Sequence, residues 1–345
     1  MNPSEKKEFR LPPVFLILLL CIAAATGLIL LLSNDPAEAL YYFFPGIFSN
    51  RLYLGNFLNY SVLLSLTGLG IIIAFNAGSF NLGGEGQVYA GAICAIAAAL
   101  KFPDLPSGAG IIMMTLCGTA AGALLAALSG IMKSRWQVNE LISTFLLSAG
   151  ITKVIDYLIL GPLSNPDSYL ITTGEIPLQY RLPPIIPPSH FNLSFLLVFI
   201  LIPASYFYLH HSRGGYELRM IGYNREFARF GGLNLGMYDT APLTVSGALH
   251  GLTGAIAVSG TYFAGILGFT FGLGWNGIAV AMIASRNPAY LLPAVLFFSW
   301  MTQGARVAVL QSDLSLELGN IIQGVLFLLI SSQALRGLQK KRDPL

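Results

Sequence analysis

Glu85 is the acidic residue of a glycine-rich stretch, 75–91 (FNAGSFNLGGEGQVYAG), that lies between two apolar runs. Gly78, Gly83, Gly84 and Gly86 surround Asn76, Asn81, Glu85 and Gln87 there, with Phe80 among them. A carboxylate at the centre of a membrane helix costs about 2.5–3.5 kcal/mol on insertion scales, so Glu85 has to face a wet cavity, meet a partner or lie near the interface. Non-helical backbone is tolerated at membrane depth only where protein buries it or water reaches it. The stretch therefore reads as a broken helix that lines or gates a polar pathway. The plainer reading keeps the glycines for tight helix packing and has Glu85 anchor a turn through hydrogen bonds.

A second stretch, 271–287 (FGLGWNGIAVAMIASRN), again enters a short apolar run through glycines, with Trp275 and Asn276 as its polar-capable side chains. Two short, glycine-interrupted helices in corresponding halves point to a midplane site in membrane transporters. The two stretches share little beyond glycine placement, so an inverted pseudo-repeat is a hypothesis. Trp275 equally suits an interfacial anchor. A third stretch, 216–234 (YELRMIGYNREFARFGGLN), sets Arg219, Arg225, Glu226 and Arg229 among Leu218, Ile221, Phe227 and Phe230. That pattern predicts one short amphipathic helix suited to docking on a surface, ended by Gly231 and Gly232, with Glu226 and Arg229 paired at i,i+3. A basic loop lying on lipid headgroups would carry the same residues.

Other chemistry finds little support. The chain has no G-x-x-x-x-G-K-[ST] phosphate loop and no G-x-S-x-G nucleophile motif, so neither an ATPase nor a serine hydrolase is expected in it. Its four histidines, His190, His210, His211 and His250, show no metal-binding spacing. His250, inside an apolar run, either touches a solute or packs. The three cysteines, Cys21, Cys94 and Cys117, sit in apolar runs and read as small buried hydrophobes rather than disulfides or ligands. Lys153 and Asp156, at i,i+3, read as a structural pair rather than a proton relay.

The elements that must position these residues follow from composition. Of 345 residues, 54% are hydrophobic and 10% charged, with a mean hydropathy of +0.68. A soluble domain carries roughly 25% charged residues, so most of this exterior has to face lipid. The net charge of +3 is too small to suggest nucleic acid. A bilayer core about 30 Å thick needs about 20 apolar helical residues. That length predicts ten spans: 14–32, 56–75, 87–100, 109–131, 139–160, 192–210, 240–260, 267–284, 289–305 and 318–333. The third and eighth are short and begin in glycine-rich sequence, where a broken or re-entrant entry is expected. The first is read as a retained helix rather than a signal peptide, since no cleavage site follows it.

Charge supports that count with both termini cytoplasmic. Lys6, Lys7, Arg10, Lys133, Arg135, Arg213, Arg219, Arg225, Arg229, Arg286, Arg336, Lys340, Lys341 and Arg342 then fall inside, and Arg51, Lys101, Arg181 and Arg306 outside. The outer loop 161–191 is dense in proline and is expected to be an ordered cap or docking surface. The inner loop 212–239 is rich in arginine. Neither suggests a soluble domain, so residues 1–345 read as a single transmembrane domain.

Four segments carry a resemblance: FNLGGEGQ (80–87), VNELISTFLL (138–147), LRMIGYNREFARFGGLN (218–234) and GIAVAMIASRNP (277–288). They resemble the simple-sugar and nucleoside permease subunits of ATP-binding-cassette (ABC) importers, within the branched-chain amino acid and ribose permease superfamily. The order is preserved from about 56 to 333. Departures are Ser148 after STFLL and Asn224–Arg225 where asparagine–proline is usual. The resemblance implies an all-α bacterial inner-membrane subunit moving a nucleoside or simple sugar by alternating access. Its partners would be a second permease, two ATPase subunits that hold ATP and Mg, and an extracytoplasmic binding protein; no cofactor is implied in this chain. Candidate pathway residues are Asn76, Phe80, Asn81, Glu85, Gln87, Asn139, His250, Trp275 and Asn276. Candidate coupling residues are Arg219, Asn224, Arg225, Glu226, Phe227 and Arg229. The alternatives are a branched-chain amino acid permease of the same architecture and an ion-coupled secondary transporter.

Overall fold

Long apolar runs with few charges form helices because in lipid every backbone polar group must be satisfied within its own segment. The computed structural model describes residues 13–315, 317, 319–325 and 327–329. Among them it contains helices, turns and isolated bridges but no β-strand. The helices are α1 (Pro13–Leu32), α2 (Pro36–Phe43), α3 (Arg51–Asn76), α4 (Gly84–Lys101), α5 (Ser107–Trp136) and α6 (Glu140–Leu160). They continue as α7 (Phe195–His211), α8 (Arg213–Tyr223), α9 (Arg225–Phe230), α10 (Leu235–Ala257), α11 (Leu273–Ile283) and α12 (Leu291–Gln311).

The chain is an all-helical, multi-pass membrane protein. Among the described residues, helices α1, α3, α5, α6 and α10 are long and apolar enough to cross a bilayer, and two bent pairs raise the number to as many as seven. In the first pair α8 turns 73° from α7, and in the second α12 turns 107° from α11. Each of the first nine expected spans overlaps a helix, but the eighth is only the 11 residues of α11. At about 1.5 Å per residue, a helix of that length covers roughly half a bilayer core. The third begins at Gly84 after a non-helical passage, 77–83. The broken entries expected from the glycines are therefore present. The tenth span is helical at 319–325 and 327–329, and its remaining residues lie outside the described ones, as do Lys6, Lys7, Arg10, Arg336, Lys340, Lys341 and Arg342.

Two compact units emerge. Residues up to Ile47 group with those from Met301 onward, and Phe48–Trp300 form the other. In the first, Asp313 accepts from the Ser33 hydroxyl (2.6 Å) and the Asn34 amide (2.6 Å), tying the end of α1 to the segment after α12. In the second, α3 is buried along its length and α10 packs on α5, α4 and α3. Glycines allow the helix backbones to touch: a Cβ on Gly122 would lie 2.2 Å from the Gly247 carbonyl, and one on Gly91 would lie 2.3 Å from that of Gly251. Small residues at membrane helix interfaces serve this packing, since lipid offers no hydrophobic drive for association. Helices α5 and α6 instead expose Ile112, Leu116, Leu124, Ile142, Leu146 and Val154, which are faces for lipid.

The larger unit has two distinct ends. At one, the α3 carboxyl end meets Gly222 of α8, and the end of α5 meets the start of α10. Lys133, Arg135, Arg213, Arg219, Arg225, Arg229 and Arg286 belong to this basic end. At the other, the proline-dense loop docks on the segment after α10, through Leu182 to the Ser259 carbonyl (2.8 Å) and Ile176 to that of Phe263 (2.8 Å). Tyr180 anchors it beneath α5, donating to the Phe102 carbonyl (2.6 Å) and accepting from Leu105 (2.9 Å). The loop is an ordered cap.

The single amphipathic helix expected in the third stretch is two helices. Asn224 adopts an extended backbone (φ −151°, ψ 100°) and its side chain caps α9 at Phe227. An asparagine whose side chain can accept the orphan amides of a following helix favours such a break. The expected Glu226–Arg229 pair is not among the described ion pairs; Arg225 pairs instead with Asp239.

Candidate functional site

Two half-helices meet inside the larger unit. After Asn76 the chain crosses 77–83 without helix, and α4 begins beside His250, well within α10. Beyond the capping loop, α11 begins at Leu273 and runs toward the basic end, where the Arg286 carbonyl accepts from Asn76 (2.8 Å). The two amino termini face each other so closely that a Cβ on Gly274 would lie 2.1 Å from the Glu85 nitrogen. Glu85 closes the joint: its carboxylate oxygens accept from the Gly272 amide (3.0 Å) and the Gly274 amide (2.9 Å). A helix amino terminus bears about half a positive charge and orphan amides, so the carboxylate between two of them is compensated by backbone alone. Glu85 thus binds the other glycine-rich stretch, a sharper form of the turn anchor considered from sequence.

The residues around it are held by one another. Asn81 and Gln87 exchange reciprocal amide hydrogen bonds (2.8 and 3.0 Å), and Asn81 also reaches Ser246 on α10 (2.9 Å) and accepts from Gly83. Both side chains are buried. Leu82 and Gly86 donate to Thr144 and Ser148 of α6 (3.1 and 2.8 Å). His250 is fully buried, its Nδ1 donating to the Ser246 carbonyl (2.7 Å) and its Nε2 lying against Gly84. Asn276 donates to the Tyr60 hydroxyl (2.9 Å). Trp275 sets its ring edge-on to Phe145, and the half-exposed Phe80 packs on Phe75. Asn139 lies apart from this joint: it caps α6 at Leu141 and lines a cavity at the basic end.

That cavity, about 490 Å³, is bordered by Ala77, Gly78, Lys133, Gln137, Asn139, Glu140, Gly222 and Arg225. Beside it lies an ion cluster. Lys133 reaches Glu140 (3.0 Å) and Ser79 (2.9 Å) and stands 3.9 Å from Asp239. Arg225 forks onto both oxygens of Asp239, one bond at 2.7 Å. The Asp239 hydrogen bond holds the Arg225 guanidinium above its ordinary pKa. Outside the cluster, Phe227 is 59% and Phe230 88% exposed, with Glu226 and Arg229 exposed next to them. Arg219, on α8, is half-buried.

Lys133, Glu140 and Asp239 were not singled out from sequence, nor were Tyr60, Thr144 and Ser148 as site residues. Among the described residues, no three of His, Cys, Asp and Glu come together to hold a metal ion. Lys153 and Asp156 do form the expected pair (3.1 Å), and Asp156 also accepts from Tyr89 (3.2 Å).

A family described as branched-chain amino acid transport system / permease component matches residues 53–331. The chain belongs to that family. Within reach of this permease component is the "Probable riboflavin import permease protein" of Treponema pallidum, 32% identical over 91% of this chain and 84% of that one. A guanosine ABC transporter permease protein of Bacillus subtilis is 28% identical over 92% of each chain. A glucose ABC transporter permease protein of Haloferax volcanii is 27% identical over 92% of this chain and 86% of its own. The match includes both half-helices, the α8–α9 elbow and the capping loop, so the site just described lies within the family's common region.

Proposed function

We propose that this permease component is the membrane subunit of an ATP-binding-cassette importer in a bacterial cytoplasmic membrane, moving a nucleoside or a sugar-like solute inward. The observation that carries this is the α8–α9 elbow, which presents Tyr223, Phe227 and Phe230 to the outside at the basic end of the larger unit. Exposed aromatic residues grouped beside arginines suit a protein surface better than water. On this reading the basic end is cytoplasmic, as the positive-inside rule requires, and the elbow seats in an ATPase subunit. Two such ATPases would hold ATP and Mg, a second permease would complete the pathway, and a binding protein would dock on the capping-loop side. The chain itself carries no cofactor and hydrolyses nothing. Arg225 is committed to Asp239, which leaves Phe227, Phe230 and Arg229 as the docking residues.

The mechanism is alternating access. ATP-driven closure of the ATPases moves the elbow, and the helices switch the cavity between faces, a bias of a few kcal/mol between two arrangements. The names guanosine, riboflavin and glucose share a hydroxyl-rich sugar or ribityl portion, which supports a polyhydroxylated solute over a branched-chain amino acid. An ion-coupled carrier is less well supported, because Glu85, the acidic residue inside the layer that would serve it, is held by two backbone amides.

The test is reconstitution in liposomes with the ATPase and binding protein, measuring uptake of labelled guanosine, riboflavin, glucose and leucine. Uptake that requires both partners and ATP supports the importer reading, and the solute accepted sets the class. Uptake driven by an ion gradient without ATP would sink it.

A further inference from the structure

Four charged side chains from four elements share one site at the basic end: Lys133 at the end of α5, Glu140 at the start of α6, Arg225 on α9 and Asp239 on α10. The Asp239 side chain is only 3% exposed, and Lys133 and Glu140 are largely buried. Burying such a cluster is a poor way to gain stability, since apolar replacements of similar volume are often neutral or better. What a cluster does offer is exchange. Lys133 stands between two carboxylates, 3.0 Å from one and 3.9 Å from the other, and the adjoining cavity leaves room for the side chains to shift.

The cluster also has an onward connection. Lys133 holds Ser79 in the passage before α4. Two residues on, Asn81 is tied to α10 through Ser246 and to α4 through Gln87. Glu85, in the same first turn of α4, holds the start of α11. Polar contacts and two short stretches of chain, 79–81 and 85–87, therefore join the elbow to the meeting point of the half-helices.

We infer that Asp239 and Lys133 are positioning residues of the transport cycle, the joint through which displacement of α9 reaches α10, α5, α6 and the passage into α4. This rests on the reading of the elbow as the ATPase contact. It separates two tasks within the elbow: Phe227 and Phe230 bind the partner, while Arg225 passes the motion inward through Asp239.

The test uses the complete complex in liposomes and reads three quantities: co-purified ATPase, ATP hydrolysis and solute moved per ATP. For Asp239→Asn, co-purification should hold, while solute per ATP falls about tenfold, within the range of ordinary coupling energies. Asp239→Glu, which keeps a carboxylate for both Arg225 and Lys133, should retain most of the wild-type ratio. If Asp239→Asn fails to assemble, Glu140→Gln serves in its place, with a fall of about threefold expected because one of the two carboxylates facing Lys133 remains. A ratio unchanged from wild type in the variant that assembles would overturn the joint, as would an Asp239→Glu protein that assembles yet falls as far as Asp239→Asn. The docking reading fails separately: if Phe227→Asp with Phe230→Asp still co-purifies the ATPase, the elbow is not the contact and the joint falls with it. If that variant loses the ATPase while Asp239→Asn transports normally, the joint alone is wrong.

Discussion

The Glu85 joint and the Asp239 cluster solve the burial of charge in opposite ways. Glu85 has no cation beside it among the described ion pairs; two backbone amides and two helix termini answer its charge. Those donors are fixed by the main chain and cannot be exchanged for others without unwinding a helix. Asp239, by contrast, is met by side chains, a forked arginine and a nearby lysine that has a second carboxylate within reach. Side chains can change partners over a few ångströms while the helices stay intact. One region holds two half-helices together through the main chain, and the other has side-chain partners that can be exchanged, as the proposed transmission of motion requires.

The comparison predicts its own sharpest failure at Gly274. An alanine there would put its Cβ 2.1 Å from the Glu85 nitrogen, a backbone atom that no rotamer change can displace. Forcing extra atoms into a packed site costs about 1–3 kcal/mol, and more where backbone must shift. Gly274→Ala should therefore lower the melting temperature in detergent strongly and abolish uptake. Gly150→Ala, with nothing within 4 Å of the added carbon, is the control and should be silent. A Gly274→Ala protein that melts and transports like the control would mean the half-helices do not meet as described.

Next in size is Glu85→Gln. The amide retains one acceptor oxygen, and its NH₂ would face a backbone N–H, so one buried donor loses its partner at about 1–3 kcal/mol. The protein should fold with a reduced melting temperature and transport more slowly at every solute concentration. Equal expression, melting and uptake would make Glu85 neither clamp nor gate.

The sequence showed where this joint had to be but not how it closes. Bilayer thickness and glycine spacing located the broken entries, because both are one-dimensional properties of the chain. The direction of α4 and α11 is set by tertiary packing, and no residue pattern reports it. Glu85 stood out as a charge in an apolar setting, yet its partners are main-chain amides, which have no letter in the sequence. Asp239 was passed over because it sits next to the apolar run 240–260, where a boundary carboxylate looks ordinary. Lys133 counted only as an inside charge, and Arg225 as a coupling residue with no partner of its own. That Arg225 pairs with Asp239 is a fact that only the fold supplies.

Lys133→Met sharpens the contrast at the Asp239 cluster. It removes the cation between Glu140 and Asp239 but keeps the stem's volume, so folding should survive. Glu140 then loses its described partner, and Arg225 alone holds Asp239. Transport per ATP should fall about two- to fivefold, less than for Asp239→Asn, because the link from α9 to α10 persists. A larger loss than Asp239→Asn would place the main connection on the Ser79 side instead.

The smallest effect is expected at the outer face of the elbow, where Glu217 accepts from Arg213 (2.8 Å) and from the Tyr238 hydroxyl (2.9 Å). These bonds, with that of Arg213 first, hold the Glu217 carboxyl below its ordinary pKa. A depressed carboxyl contributes stability that is present above the unfolded value and disappears as pH falls through the folded one. The tie between α8 and α10 should thus be intact at neutral pH and weaken on acidification. Arg213 is largely exposed and the pair is screened by solvent, so the contribution is minor. Glu217→Gln should leave uptake at neutral pH nearly unchanged and flatten the acid side of the melting-temperature profile. If instead the variant loses uptake at neutral pH, Glu217 belongs with Asp239 among the residues that transmit motion, and the boundary between the holding and moving regions shifts from α9 to α8.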